Sequence, residues 1–385
     1  MGRALVAVLA LVGCTDPDGK DDDTAVLPAP IALPADCATL PAGNGFRVGP
    51  EDANTLRETL ATAPPGAVYL LDDGTYTLTG GDSFHNLAIA PGVTVRSASG
   101  DPASVVLEGG YATTELVTLG GGALLAEVTV SHASGNAVAI RGATGARVYG
   151  VVIQDPGDIG VAVLPDRGVY SDDAVVACVR VVRTDTCAVG IDGVQASGAH
   201  VYGATIDAPG CDEPGIRFAT GSRDTLIERI RVTTGGGAAI ALGEAEYEEG
   251  DERVYSDAAC PERTSVGHYG GEVRNVFVVG GGVRVEDACG GTVAHASIWG
   301  GDLAWAFSEG LVLANNLASL SDGGGGVASD NLTPTAGDFA DAAAGDLHLA
   351  DGSEAIDAGA VLAGIADDID GDARDATPDI GADER

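Results

Sequence analysis

The sequence predicts an all-β chain folded as a parallel β-solenoid, and three observations predict it. A heptad of the form x-Val-x-x-Val-x-Ile recurs about every 20 to 30 residues through the middle of the chain. It stands at Leu124–Val130, Arg147–Ile153, Val175–Val181, His200–Ile206, Leu226–Val232, Glu272–Val278, Thr292–Ile298 and Leu311–Leu317. No helical periodicity separates these heptads; each leads into a polar or Gly-rich turn and often a second short apolar run. The composition, 58 Gly and 4% aromatic in 385 residues, suits a thin stacked core with tight corners. No repeat can bury its aliphatics alone, so every coil must stack on its neighbours.

Taken in order, Met1–Arg3 and the apolar run Ala4–Val12 read as a secretory signal, too short to span a bilayer. Leu11-Val-Gly-Cys14 resembles a bacterial lipobox, which implies acylation of Cys14 after cleavage. Thr15 at the next position favours delivery to the outer membrane or cell surface. Residues 15–36, rich in Asp, Pro and Ala, are expected to form a disordered tether. The remainder, 37–385, is expected to be one domain. Asp52–Ala63 is a short amphipathic helix with Ala53, Leu56, Leu60 and Ala63 on one face, stopped by Pro64-Pro-Gly66. Within an N-terminal cap over about 50–66, it would cover the open end of the solenoid. Coils then run from Val68 to about Leu317, with inward positions that include Val148, Val201, Ile216, Ile227, Ile240, Val273 and Val293. Gly243–Tyr269 and Asp166–Asp173 read as insertions, and about 338–385 as a terminal segment.

The stretch Gly74-Thr-Tyr-Thr, Asn86-Leu-Ala-Ile, Val93-Thr-Val-Arg-Ser, Val105-Val-Leu-Glu-Gly resembles the first coils of bacterial pectate-lyase-like proteins. The tail Gly352-Ser-Glu-Ala-Ile-Asp-Ala-Gly, Asp368-Ile-Asp-Gly-Asp-Ala-Arg, Pro378-Asp-Ile-Gly-Ala-Asp-Glu is similar to the C-terminal segment of many surface proteins of that kind. The resemblance covers roughly 68–384 and implies a right-handed parallel β-helix. It does not by itself assign a reaction.

Six cysteines follow Cys14, an even number suited to an oxidising compartment. Cys187 and Cys211 each precede the next strand by four or five residues, so they should stack on adjacent coils within bonding reach. Cys260 and Cys289 flank another coil and form the second expected pair. Cys37 with Cys178 follows only by elimination.

The second strand of each coil supplies candidate site residues. Val117-Thr-Leu, Val138-Ala-Ile, Val161-Ala-Val, Ile191-Asp-Gly, Ile216-Arg-Phe, Ile240-Ala-Leu and Val283-Arg-Val align, and alternation turns the middle residues outward. The outward column then holds Asp192, Arg217 and Arg284, with Arg141 and Glu286 at the next outward positions. Guanidinium forks beside a carboxylate suit an acidic sugar, and a salt ladder tying adjacent coils explains the same column. Gly267-His-Tyr-Gly-Gly271 would let His268 act as general base and Tyr269 as acid or ligand contact at the rim. Asp172-Asp173 is a carboxylate partner for Asp192 in an inverting hydrolysis. Asp368, Asp370 and Asp372 have the acidic spacing of a calcium loop, with Ala373 where the glycine should be; a terminal cap explains them better.

The formal charge of −37 excludes a nucleic-acid partner. The only lysine, Lys20, lies in the tether, which excludes a Lys-based lyase. An Arg-based lyase would need calcium, the one cofactor the sequence admits. The expected function is therefore a monomeric, lipid-anchored binder of an acidic polysaccharide at the cell surface. A lyase or glycoside hydrolase on a uronate glycan stands second, and a structural or adhesive protein third. Contact with the membrane would be through the lipid alone.

Overall fold

The computed structural model describes residues 31–78, 84–184, 186–243, 260 and 266–385. Its body is one sheet of 27 strands wound as a β-helix, every register in it parallel. The expected inward residues Val148, Val201, Ile216, Ile227, Ile240, Val273 and Val293 all lie in one continuous core.

The heptad has a specific geometry. Its second, fifth and seventh residues face inward, as in Val148, Val151 and Ile153. Simple alternation would turn the fourth residue inward, but that residue instead takes the left-handed conformation and bends the strand. Glu127, Gly150, Cys178, Gly203, Arg229, Asn275, His295 and Asn315 stack there, with φ between 51 and 62°. Glycine adopts this region freely, whereas other residues are held in it at about 1–2 kcal/mol each. The non-glycine members make contacts that offset this cost. Glu127 accepts the Leu40 amide at 2.6 Å, Arg229 pairs with Asp367, and Asn275 donates to Asp367 O at 2.9 Å.

Two chain ends use these hooks. Residues 31–41 lie along the flank over Leu124, Ala126, Tyr149, Ala177 and Tyr202, with Ile31 and Leu33 packed against that cluster. Ile31–Asp36, expected in the tether, is therefore part of the folded body. Arg96 and Glu127, 4% and 3% exposed, pair at 2.7 Å and hold the backbone of Leu40 and Pro41. The C-terminal segment lies along the flank as well, rather than over the end of the stack. Phe339, Leu347, Leu349, Ile369 and Ile380 pack on the outward residues Phe277 and Leu317.

The boundaries shift in three places. Strand Phe46–Val48 pairs with Val68–Leu71, so coils begin before the helix, which spans Ala53–Ala61 with Leu56 and Leu60 buried. The stack continues past Leu317 to Gly326–Ser329. The last heptad is Val312–Ala318 rather than Leu311–Leu317, because Val312 pairs with Thr292 and Asn315 takes the corner. Asn316 fills an inward aliphatic position, its amide bonded to Ala296 N, Val293 O and Asn331.

All six cysteines are bonded: Cys187–Cys211, Cys260–Cys289 and Cys37–Cys178, with Cα separations of 5.3, 5.8 and 5.4 Å. The third ties the N-terminal strap to a left-handed corner in mid-stack.

Ile216 is fully buried in the stack. Ile216→Ala is expected to lower unfolding stability by about 2–5 kcal/mol, read from denaturant midpoints. Replacing Cys37 and Cys178 together by Ser should release the strap. Limited proteolysis would then cut between Ile31 and Leu40, while the bonded protein stays resistant there; equal resistance would show that the strap holds without the bond.

Candidate functional site

The second strands align as the alternation predicts. Thr118, Ala139, Ala162, Asp192, Arg217, Ala241, Arg284 and Ala304 are successive Cα partners on one outward face. Asp192 and Arg217 form a bidentate pair, Nε to Oδ1 at 2.9 Å and Nη2 to Oδ2 at 3.1 Å. They are 1% and 7% exposed. The Arg217 fork is thus engaged and sealed, which gives this pair the geometry of a rung between coils. A ligand carboxylate would have to displace Asp192 and leave it buried and uncompensated. Arg284 stands two coils further along, roughly 10 Å away by strand spacing. Its side chain is 40% exposed, with Nε 3.7 Å from Glu286 Oε1.

His268 and Tyr269 do not overhang this face. Gly267–Gly271 carries the chain straight into the coil wall, where His268 and Tyr269 pair with Ser222–Arg223 on one side and Ala288–Cys289 on the other. His268 is fully buried, Nδ1 3.1 Å from Gly270 O and Nε2 3.1 Å from Thr225 Oγ1. Tyr269 packs against Cys260 and Cys289. Neither side chain reaches the surface to exchange a proton with a ligand. Most of the Gly243–Tyr269 insertion lies outside the described residues. Asp172 serves the corner turn, accepting the Ser197 amide at 3.0 Å, and Asp173 is a left-handed turn residue.

The three aspartates of the expected calcium loop have separate tasks. Asp368 is buried; its Oδ1 accepts the amides of Asp370, Gly371 and Asp372, and its Oδ2 that of Glu384. Asp372 is exposed, and Asp370 pairs with Arg231 at 2.7 Å. Asp368 thereby shapes a turn of the segment that lies along the flank.

At the other end of the face lies a cluster built on Glu115. Its buried carboxylate receives Arg141 Nε at 2.9 Å and lies 3.0 Å from His85 Nδ1. The Arg141 and His85 side chains are 26% and 44% exposed, and Phe84, 48% exposed, meets the His85 ring edge-on at 4.4 Å. Arg141 was legible as an outward position. Glu115 was not, because Leu116 and Val117 are both core residues. That break in alternation swings Glu115 onto the outer face. Nearby in the chain, the Tyr111 and His132 rings meet at a tilt with centroids 5.1 Å apart, and His132 Nδ1 lies 3.0 Å from Glu108.

No protein-family model matches this chain, and comparison with the curated proteins gave no match. Its structure is similar to that of pectate lyase Pel9A, with a TM-score of 0.57 and 16% identity over 91% of this chain and 100% of that one. An alginate lyase from Paenibacillus sp. gives a TM-score of 0.45 and 14% identity over 75% and 99% of the two chains. PfbA, a surface adhesin of Streptococcus pneumoniae, gives 0.43 and 11% over 74% and 93%. The likeness to Pel9A shows a shared right-handed parallel β-helix and, at that identity, the fold alone.

Buried titratable groups make this fold acid-sensitive. Burial pushes His268 down to about 4, and burial with the Arg374 charge pushes His295 down to about 3. Burial alone would raise Glu228, but hydrogen bonds from His200 and Arg274 hold it down at about 2. Below the ordinary histidine value of about 6.5 the unfolded chain takes up protons that folded His268 and His295 refuse. Each then costs about 1.4 kcal/mol per pH unit until its folded value is reached. Glu228 adds to the loss as pH falls from its unfolded range through about 2. His348, raised by its aspartate partners against the effect of burial, works the other way: its contribution fades as pH rises through its folded value. The melting temperature should therefore fall steadily from pH 6.5 to pH 3, followed by circular dichroism. A flat profile over that range would contradict the buried neutral histidines.

Proposed function

We propose that this chain is an extracytoplasmic glycan-binding β-helix that holds an acidic polysaccharide along its outward sheet face without cleaving it. The observation that carries this reading is the placement of Arg141 and Arg284, both partly exposed, on one face of one stack, with His85 and Phe84 beside Arg141. Partly exposed guanidinium groups recognise carboxylates, and rings stack on sugar faces. A polysaccharide is a repeating linear ligand, matched by a face on which each coil adds one equivalent strand. The fold shared with a pectate lyase supports a glycan as the ligand class. The net charge of −37 repels a polyanion at long range, but salt screens that repulsion beyond about 8–10 Å. Contact then rests on local cations, and calcium strengthens it by bridging carboxylates of ligand and protein. Acylation of Cys14 would keep the monomer at the surface.

A lyase reading is weaker on the chemistry of the face. Arg217 is held by Asp192, His268 is buried in the wall, and the folded part contains no lysine.

The test is binding of polygalacturonate and alginate, with and without calcium, by isothermal titration. Arg284→Ala should weaken binding about tenfold or more, since a charge-assisted hydrogen bond is worth about 1.5–3 kcal/mol. Arg180→Ala, exposed and in a different column beside Val152 and Thr205, should leave binding unchanged. Equal affinity for wild type and Arg284→Ala would overturn the site. Ultraviolet absorbance of an unsaturated product would replace binding with elimination. Failure to bind any glycan would favour a structural or adhesive protein.

A further inference from the structure

The C-terminal flank carries a side-chain cluster unrelated to the outward face. Strand Asp346–Leu349 pairs with Phe339–Asp341 and presents His348. The turn shaped by Asp368 presents Asp370, and the chain near its end presents Asp383. One ligand atom each from His348, Asp370 and Asp383 lies within 4.8 Å of the others. His348 Nε2 is 2.8 Å from Asp370 Oδ2, while Nδ1 bonds Asp346. Asp370 Oδ1 is held by Arg231 at 2.7 Å.

Two features of this cluster point to a cation. Asp383 is 7% exposed, yet among the described residues it has no ion pair and a single hydrogen-bond donor, the Leu349 amide. A carboxylate that deeply buried ordinarily has a counter-ion or several donors. The charge count agrees. Asp346, Asp370 and Asp383 outnumber Arg231 around the His348 ring, an acidic excess that a divalent cation would offset.

We propose that His348, Asp370 and Asp383 bind a divalent transition-metal ion, with Zn2+ the best fit, and that this ion staples the C-terminal segment to the β-helix. An imidazole nitrogen with two carboxylate oxygens is a borderline donor set that suits Zn2+ and disfavours calcium, which takes six to eight oxygens. Ligand atoms around tetrahedral zinc stand about 3.4 Å apart, given bonds near 2.1 Å. His348 Nε2 and Asp370 Oδ2 are 2.8 Å apart, and all three ligand atoms lie within 4.8 Å of one another, a spread that brackets that value. Asp346 on Nδ1 supplies the outer carboxylate that fixes a metal-bound histidine ring, leaving Nε2 to face the ion. The His348 and Asp370 side chains, 38% and 41% exposed, leave the remaining coordination to water. The ion would then join three separate stretches of chain and, through Asp370 and Arg231, the sheet itself.

The test uses the full chain, stripped with chelator and titrated with Zn2+ in excess calcium to occupy weak surface carboxylates. One Zn2+ per chain is expected, with a higher melting temperature. His348→Gln and Asp383→Asn should each weaken binding at least tenfold. Asp212→Asn, an exposed acid elsewhere, should bind as wild type does. In wild type labelled at its six histidines, Zn2+ should shift the ring resonances of one of them, a readout that survives even if a variant fails to fold. Absence of stoichiometric Zn2+, its retention by folded His348→Gln, or histidine spectra unmoved by Zn2+ would each overturn the proposal and leave a protonated His348 as the bridge.

Discussion

The left-handed corner at the fourth position of each heptad is the constraint from which the rest of this structure follows. A strand that simply alternated could not wrap a core. One residue per heptad in the left-handed region shifts the inward phase by one and turns the chain, so that second, fifth and seventh residues meet the same interior. Because the corner recurs at the same register, the corner residues form a ridge along the flank. Their side chains stand clear of the core and are available to bind something else. In the first half of the stack Glu127 and Cys178 hold the N-terminal strap; in the second, Arg229, Asn275, His295 and Asn315 hold the C-terminal segment. The backbone cost at each non-glycine corner is offset by the segment it secures.

This geometry explains what could be read from sequence. The heptad spacing revealed the coils because inward aliphatics must stack on one another. The bond between Cys187 and Cys211 was legible because each stands four or five residues before one of two aligned strands. The ladder from Thr118 to Arg284 was legible by alternation. Where alternation or apolarity failed, the reading failed too. Asn316 sits where an aliphatic belongs, so the last heptad shifted by one residue. Leu116 and Val117 are both core, so Glu115 and its partner His85 were missed. Ile31–Asp36 has the composition of a tether, and its order comes from long-range contacts with Tyr149, Tyr202 and Arg147 that no local pattern encodes.

The charged groups divide by burial more than by sequence. Asp192–Arg217 and Arg96–Glu127 are closed inside the body, where their geometry fixes register and strap. Arg141 and Arg284 keep similar carboxylate partners but stay partly open to solvent. The same residue types are thus sealed between coils or left open to solvent according to what lies above them. Sequence alone placed Arg217 and Arg284 in one column without telling these two situations apart.

The bond between Cys37 and Cys178 also sets how this molecule would bear a mechanical load. A pull on the N-terminal side of Cys37 passes through the disulfide to the corner at Cys178, bypassing the chain between them, a sequence separation of 141. The first coils and the capping helix would carry no tension. Force would enter the stack from the side, partway along its axis, and act on many parallel strand ladders in shear. Pulled from its first strand, the same solenoid would peel open one coil at a time, as a zipper does.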